Sequence, residues 1–317
     1  MSDPRSLAQY SGETDTGGRF VRQQSAFRRW VSDEPGAEFP PEAGRYHLYV
    51  SLACPWASRT LLFRKLKGLE DAIGVTIVDP VRDELGWRFG DGSPERGEPD
   101  PLHGWKYLSE GYVLTDPSFT GRVTVPVLWD TKTDTAVNNE SSEIIRMLNS
   151  AFNAVAEHPE LDFYPEDLRE EIDALNDRIY NTVNNGVYRA GFATTQAAYE
   201  EGVTELFASL DWLEGLLGER RYLAGDQITE ADWRLAMTLF RFDPVYVGHF
   251  KCNLRRIVDY PNLWAYAREL YQHPGVAETV DFDHIKRHYY TTHPQINPTR
   301  VVPLGPVIDW NAPHGRG

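Results

Sequence analysis

Cysteine is nearly absent from this chain. Cys54 and Cys252 are the only two in 317 residues, too few for a disulfide framework, and the expected setting is a reducing cytoplasm. No window approaches the roughly 18 uncharged apolar residues of a membrane span, so no membrane partner is expected. Lysine is scarce as well, with 6 residues against 26 arginines, and these 32 basic residues face 47 acidic ones for a net charge of −15. No basic stripe offsets that charge, which argues against nucleic acid as a partner because phosphate would be repelled. An acidic, lysine-poor surface is one way to keep a protein hydrated in concentrated salt. A GC-rich genome, which favours arginine codons, would give the same balance without a physical purpose. The opening residues, MSDPRSLAQYSGETDTGG, are polar and mixed in charge and read as no secretory signal. Internal repeats and low-complexity runs are missing too.

The material for a core is present: 41% of residues are hydrophobic and 12% aromatic, which excludes global disorder. The length suggests two domains. Residues 1–44 carry Gly, Pro and polar residues around Phe27-Arg28-Arg29-Trp30 and read as an ordered extension wrapped on a domain. Tyr46 to Leu52 is rich in β-formers. Pro55 suits a first helical position, and Ala57 to Lys67 carries Leu61, Leu62 and Leu66 at helical spacing before a stop at Gly68. Gly74 to Val78 is a second strand, giving a βαβ unit. Arg82 to Phe119 shows little periodicity, and a run that long inside a compact domain is usually functional. Val123 to Trp129 is a third strand interrupted by Pro126, which belongs at an edge, a bulge or a cis turn. Thr135 to Val137 is a short fourth strand and Ser141 to Phe152 a helix. After a linker at 153–165, the periodic stretches are all helical: 166–184, 196–217, 229–242 and 263–272, with Thr229 and Asp232 spaced as a capping box. The expected domains are therefore an α/β domain at 45–152 and an all-α domain at 166–290, with a C-terminal extension at 291–317.

Cys54-Pro55-Trp56-Ala57 lies where a strand ends and a helix begins. There the free backbone N–H groups and the helix dipole stabilise a thiolate, a nucleophile toward sulfur or activated carbon. If the Val125–Pro126 bond is cis, the Val125 backbone can pair with an extended peptide like an added strand. Asn139-Glu140-Ser141 opens a helix, where N–H groups and a hydroxyl can receive a carboxylate and Glu140 can accept from an amino group. His284 and His288 stand four apart, a zinc-compatible spacing, but no third ligand is evident. His249, His284 and His288 are expected to be surface or capping residues, and no metal is expected. Cys252 reads as structural.

A thiol at a helix start, a Val-Pro turn, a Glu-Ser helix start and a following all-helical domain together resemble the glutathione transferase superfamily. More specifically, Ser51 to Ala57, Gly121 to Asp130, Asn139-Glu140-Ser141, Val183 to Tyr188, Arg241 to Tyr246, His249 to Cys252, Asp283 to Tyr289 and Ile296-Asn297-Pro298 resemble the glutathionyl-hydroquinone reductases, the xi class. The likeness runs from about Gly17 to Gly305. It implies a thioredoxin-like N-terminal domain followed by an all-helical C-terminal one. It also implies a homodimer and glutathione as cosubstrate. Cys54 would attack the sulfur of a glutathionyl-hydroquinone and release the hydroquinone, and a second thiol would resolve the mixed disulfide. Position 57 is Ala, so a dithiol mechanism is not expected. The resemblance assigns Trp87, Arg122, Val125, Glu140 and Ser141 to the glutathione site, and Tyr188 and Tyr289 to the aromatic acceptor, for stacking and proton donation. An acidic, halophilic host could supply γ-glutamylcysteine instead, and other hosts another small thiol. Competing readings are an omega-like thioltransferase or dehydroascorbate reductase using the same cysteine, and a non-catalytic transferase-like scaffold.

Overall fold

The computed structural model describes residues 11–83 and 85–317, so the first half of the opening polar segment lies outside the described residues. Two units are distinguished. The first holds Gln23–Asp162 and Glu278–His293, the second Ser11–Arg22, Phe163–Ala277 and Pro294–Gly317.

In the first unit, Tyr46–Val50 forms β1, every residue of it buried, and Pro55–Leu66 forms α1 with the proline at its first turn. Ile73–Ile77 is β2, Val127–Asp130 is β3 and Thr135–Asn138 is β4. The sheet order is β2-β1-β3-β4. β1 runs parallel to β2 and antiparallel to β3, with Leu48 opposite Val75 on one side and Leu128 on the other. This is the mixed sheet that a thioredoxin-like βαβ start followed by a hairpin produces. Arg45 ties the two central strands together at one end by gripping Asp130 through two hydrogen bonds of 2.8 and 2.6 Å. Such a bidentate, buried pair fixes where β3 ends.

Three local departures from the sequence expectation have simple causes. β3 begins at Val127, not Val123, because Pro126 has no N–H for the ladder and its bond to Val125 is cis. The helix expected over 141–152 keeps regular geometry only over Ser141–Arg146 (α3) and continues as a π-helical turn over Met147–Ala151. Within the irregular segment, Ser109–Thr115 is a helix (α2) that buries only Gly111 and Tyr112, too few for a periodic stripe.

The second unit is helical: Arg169–Ile179 (α4), Gly186–Gly191 (α5), Gln196–Glu219 (α6), Glu230–Arg241 (α7) and Pro261–Gln272 (α8). α5 went unread because it is short and bounded by two glycines. Gly191 is required there, since a Cβ would lie 2.1 Å from the Phe250 ring. α7 is buried along its whole length. Asp232 in its first turn is the hub that seats it. It accepts from Thr229 N (2.8 Å), the Thr229 hydroxyl (3.0 Å), Leu223 N (3.0 Å) and the Tyr266 hydroxyl (2.7 Å). Burial pushes this carboxyl above its usual range despite those donors. The C-terminal segment is pinned by Trp310, which packs on Phe240, Trp264 and Tyr271, and by Arg316, whose Nε donates to Glu269 at 2.6 Å.

Phe282–Thr292 (α9) is a further helix, and it belongs to the first unit although the helical domain was expected to run to residue 290. Its inward face is His284, Ile285, His288 and Tyr289, which an apolar count does not register. The two histidines are buried, not surface or capping residues, and each meets a backbone carbonyl of the irregular segment. His249 is buried too, and burial depresses its imidazole to about 4. The N-terminal extension divides as well, Ser11–Arg22 lying with the helical unit.

Replacing Asp232 with alanine strands two backbone N–H groups and two hydroxyls in the core. The expected loss is about 3 kcal/mol or more in urea-induced unfolding of the full chain, with Asp232→Asn losing clearly less.

Candidate active site

The β1–α1 junction presents Cys54 at the N-cap of α1 in extended backbone conformation. Its thiol is in no disulfide and is half-buried. Sγ donates to the carbonyl oxygen of Val125 at 3.6 Å, across the cis Val125–Pro126 bond. A helix start is a place where backbone N–H groups and the dipole favour the anionic form of a thiol, although no cap hydrogen bond reaches the Cys54 side chain here.

Glu140 caps α3 on the same unit. Its Oε1 accepts from Ser142 N at 3.2 Å and from the Ser142 hydroxyl at 2.9 Å, and its Oε2 accepts from the Ser25 hydroxyl at 2.9 Å. Burial opposes the charge, but these donors and the nearby Arg59 win, so the carboxyl is held below its usual range. Glu140 is thus an anion near neutral pH, ready for an ammonium group. The adjacent Ser141 is buried, and its hydroxyl accepts from Arg59 Nη1 at 3.5 Å. Arg59 comes from α1, five residues beyond Cys54, and lies over the Trp56 ring at 4.6 Å. One helix therefore carries the thiol at its end and the cation that steadies the Glu140-Ser141 corner.

Arg122 is half-buried, and its backbone is held from both sides by Gln23: Arg122 N donates to Gln23 Oε1 at 2.8 Å and Gln23 Nε2 to Arg122 O at 3.4 Å. Residues 27–29 pair beside β4 through an isolated bridge of Arg28 with Asn138. Phe27 N donates to Asn139 Oδ1 (2.9 Å), Asn139 N returns to Phe27 O (3.0 Å), and Arg29 N donates to Val137 O (3.0 Å). Arg28 pairs with Glu143. Gln23, Ser25 and Arg59 are the supporting residues that sequence reasoning missed. Nothing local in the sequence marked any of the three.

Trp87 is 4% exposed and stacks on His288, with ring centroids 5.0 Å apart and planes at 14°. The Arg82 guanidinium lies 5.4 Å from the same indole. Tyr289, also in the first unit, is buried at 2% exposure. Among the described residues no group of three or more His, Cys, Asp or Glu side chains could hold a metal ion. No helix among them is long and apolar enough to cross a membrane.

Comparison with known proteins bears directly on this arrangement. Residues 53–151 match the model for the glutathione S-transferase N-terminal domain, and residues 196–269 that for the C-terminal domain. The glutathionyl-hydroquinone reductase YqjG of Escherichia coli is 55% identical over 95% of this chain and 93% of its own. Its glutathione-bound structure superposes with a TM-score of 0.89, covering 92% of this chain and 96% of that one. The glutathionyl-hydroquinone reductase PcpF of Sphingobium chlorophenolicum is 54% identical over 92% of this chain and 91% of its own. The chain belongs to the glutathionyl-hydroquinone reductases. The xi glutathione transferase of Phanerochaete chrysosporium, 53% identical over 95% of this chain and 98% of that one, superposes with a TM-score of 0.91.

Tyr188, the other tyrosine that the reductase resemblance singled out, lies in the second unit on α5. It is surrounded by rings: Phe250 at 5.5 Å, Phe192 at 6.0 Å, Tyr246 at 6.2 Å and Phe20 at 6.4 Å. The Arg22 guanidinium sits 4.7 Å from its centroid and is held by Nε donating to Asn185 Oδ1 at 2.7 Å. A cation against a phenol ring is a contact that the sequence did not announce.

The reductase's two thiols differ sharply. Cys252 is fully buried, and burial pushes its thiol well above the usual range. Iodoacetamide at neutral pH is expected to label native protein once, at Cys54, with Cys252 reacting only after denaturation, as read by peptide mass spectrometry.

Proposed function

We propose that the chain reduces glutathionyl-hydroquinones through Cys54. The thiolate attacks the glutathionyl sulfur, an S–S bond forms as the aryl C–S bond breaks, and the aryl carbon takes a proton to give the hydroquinone. A second glutathione, as thiolate, attacks the mixed disulfide. Glutathione disulfide leaves and the Cys54 thiolate returns, so two sulfurs, that of the conjugate and that of the second glutathione, lose the two electrons that the ring carbon gains. Tyr188 and Tyr289 are the acceptor-side phenols in this reading, stacking on the ring and supplying the proton.

The observation that carries the reading is the reduced Cys54 thiol at the start of α1, 3.6 Å from the Val125 carbonyl, on the same unit as an ionised Glu140. The peptide would lie along Val125, its γ-glutamyl amino group on Glu140 and its carboxylate on Ser141, with Arg122 neutralising charge and Trp87 covering it. Because Glu140 and Ser141 would contact only the γ-glutamyl end, γ-glutamylcysteine should serve as thiol as well as glutathione. The enzyme is proposed to work as a homodimer in the cytoplasm, a setting consistent with two unpaired cysteines.

Steady-state reduction of glutathionyl-menadiol tests the assignment. Cys54→Ser is expected to lower turnover at least a thousandfold, since an alkoxyl cannot replace a thiolate in exchange chemistry, while leaving the circular dichroism spectrum unchanged. Activity retained in that variant contradicts the mechanism. A wild-type enzyme that reduces dehydroascorbate but not the conjugate moves the assignment to an omega-like reductase.

A further inference from the structure

The two histidines of α9 take part in no step above, yet neither is idle. They stand one turn apart on the helix's buried face, and both reach the irregular segment that follows β2. His284 Nε2 lies 3.0 Å from Pro94 O, and His288 Nδ1 lies 2.7 Å from Pro80 O. A carbonyl oxygen only accepts, so each of these ring nitrogens carries the proton, which also settles the tautomer of the neutral ring. The Thr292 hydroxyl, 3.3 Å from the same Nδ1, braces His288 from within α9.

His288 then has one edge tied to main chain and one face against the Trp87 indole, in parallel contact at 5.0 Å. Its neighbour Tyr289 meets it edge to face at 5.2 Å and 83°, and meets His293 at 5.8 Å and 67°. One imidazole therefore contacts both the indole assigned to the thiol and the phenol assigned to the acceptor. An aliphatic side chain of equal volume would bury as much surface but would offer neither the N–H for Pro80 nor a flat face for Trp87.

We infer that His288 is a positioning residue: it sets Trp87 and Tyr289 in register, so that the glutathionyl part and the aromatic part of one conjugate are held together for attack at sulfur. The inference rests on the roles proposed above for Trp87 and Tyr289. Transfer from carbon to Cys54 needs both parts of the substrate fixed at once, and loss of orientation of about 1 Å can cost around a hundredfold in rate.

Two substitutions separate the functions of the ring. His288→Asn keeps an N–H within reach of Pro80 and removes the aromatic face; His288→Phe keeps the face and loses the donor. Glutathione alone engages the Trp87 side, while the conjugate engages both sides. His288→Asn is therefore expected to weaken glutathione binding, read by calorimetry on the resting enzyme, roughly tenfold, and to lower kcat/KM for glutathionyl-menadiol roughly a hundredfold. His288→Phe is expected to recover most of both losses. Wild-type values of both quantities in a folded His288→Asn enzyme overturn the inference, as does an equal loss in the two quantities, which would mean that Tyr289 is not involved. Should His288→Phe fail to fold, the asparagine variant decides alone. A wild-type enzyme without turnover defeats the proposed reaction instead, and the calorimetric comparison still decides whether His288 holds Trp87 in place.

Discussion

A thiolate needs partners that cannot leave, and the start of α1 supplies them. The strand β1 is buried on both sides and delivers the chain to Cys54 in extended conformation; Pro55 then begins the helix without needing a hydrogen bond of its own. The sulfur therefore sits at the positive end of the helix dipole, a placement set by backbone geometry. Val125, brought alongside by the antiparallel pairing of β3 with β1, puts its carbonyl 3.6 Å from Sγ. The nucleophile is thus a product of the sheet, whose two central strands are tied at one end by the buried Arg45–Asp130 pair.

A second layer of support comes from far away in sequence. Residues 27–29 pair beside β4, and the residues before them place Ser25 against Glu140 and Gln23 against Arg122, so the extension acts as a brace for the thiol-binding corner. Arg59 joins α1 to Ser141, which links the orientation of the nucleophile's helix to that of the γ-glutamyl site. Electrostatics follow from this scaffold. Glu140 keeps its charge because fixed donors outweigh its desolvation, whereas Cys252, buried and donating to the carbonyls of Val187 and Phe250, is driven toward the inert thiol.

Much of the first unit was legible in the sequence because its signals are local. The β-formers before Cys54, the proline after it and Gly68 at the helix end mark β1 and α1 to within a residue or two. Thr229 and Asp232 likewise announce α7. The failures share one physical cause: the information is nonlocal. α9 buries two histidines whose partners are carbonyls some 190 to 208 positions earlier in the chain, so its inward face looks polar in sequence. Val123 to Val125 have strand-like composition, but Pro126 removes the ladder bond and the strand starts later. In the site, Cys54, Glu140 and Ser141 were visible through their position at helix starts. Gln23, Ser25 and Arg59 were not, because each acts on a residue that only the fold brings near.

The central claim is that Cys54 is the atom to which the glutathionyl group is first transferred. It is tested most directly by mixing stoichiometric glutathionyl-menadiol with enzyme in the absence of free thiol and recording intact-protein and peptide masses. The account predicts one equivalent of menadiol released and one glutathionyl adduct, located on Cys54 and removed by added glutathione. Menadiol release with an unmodified Cys54, or an adduct on Cys252, would contradict it.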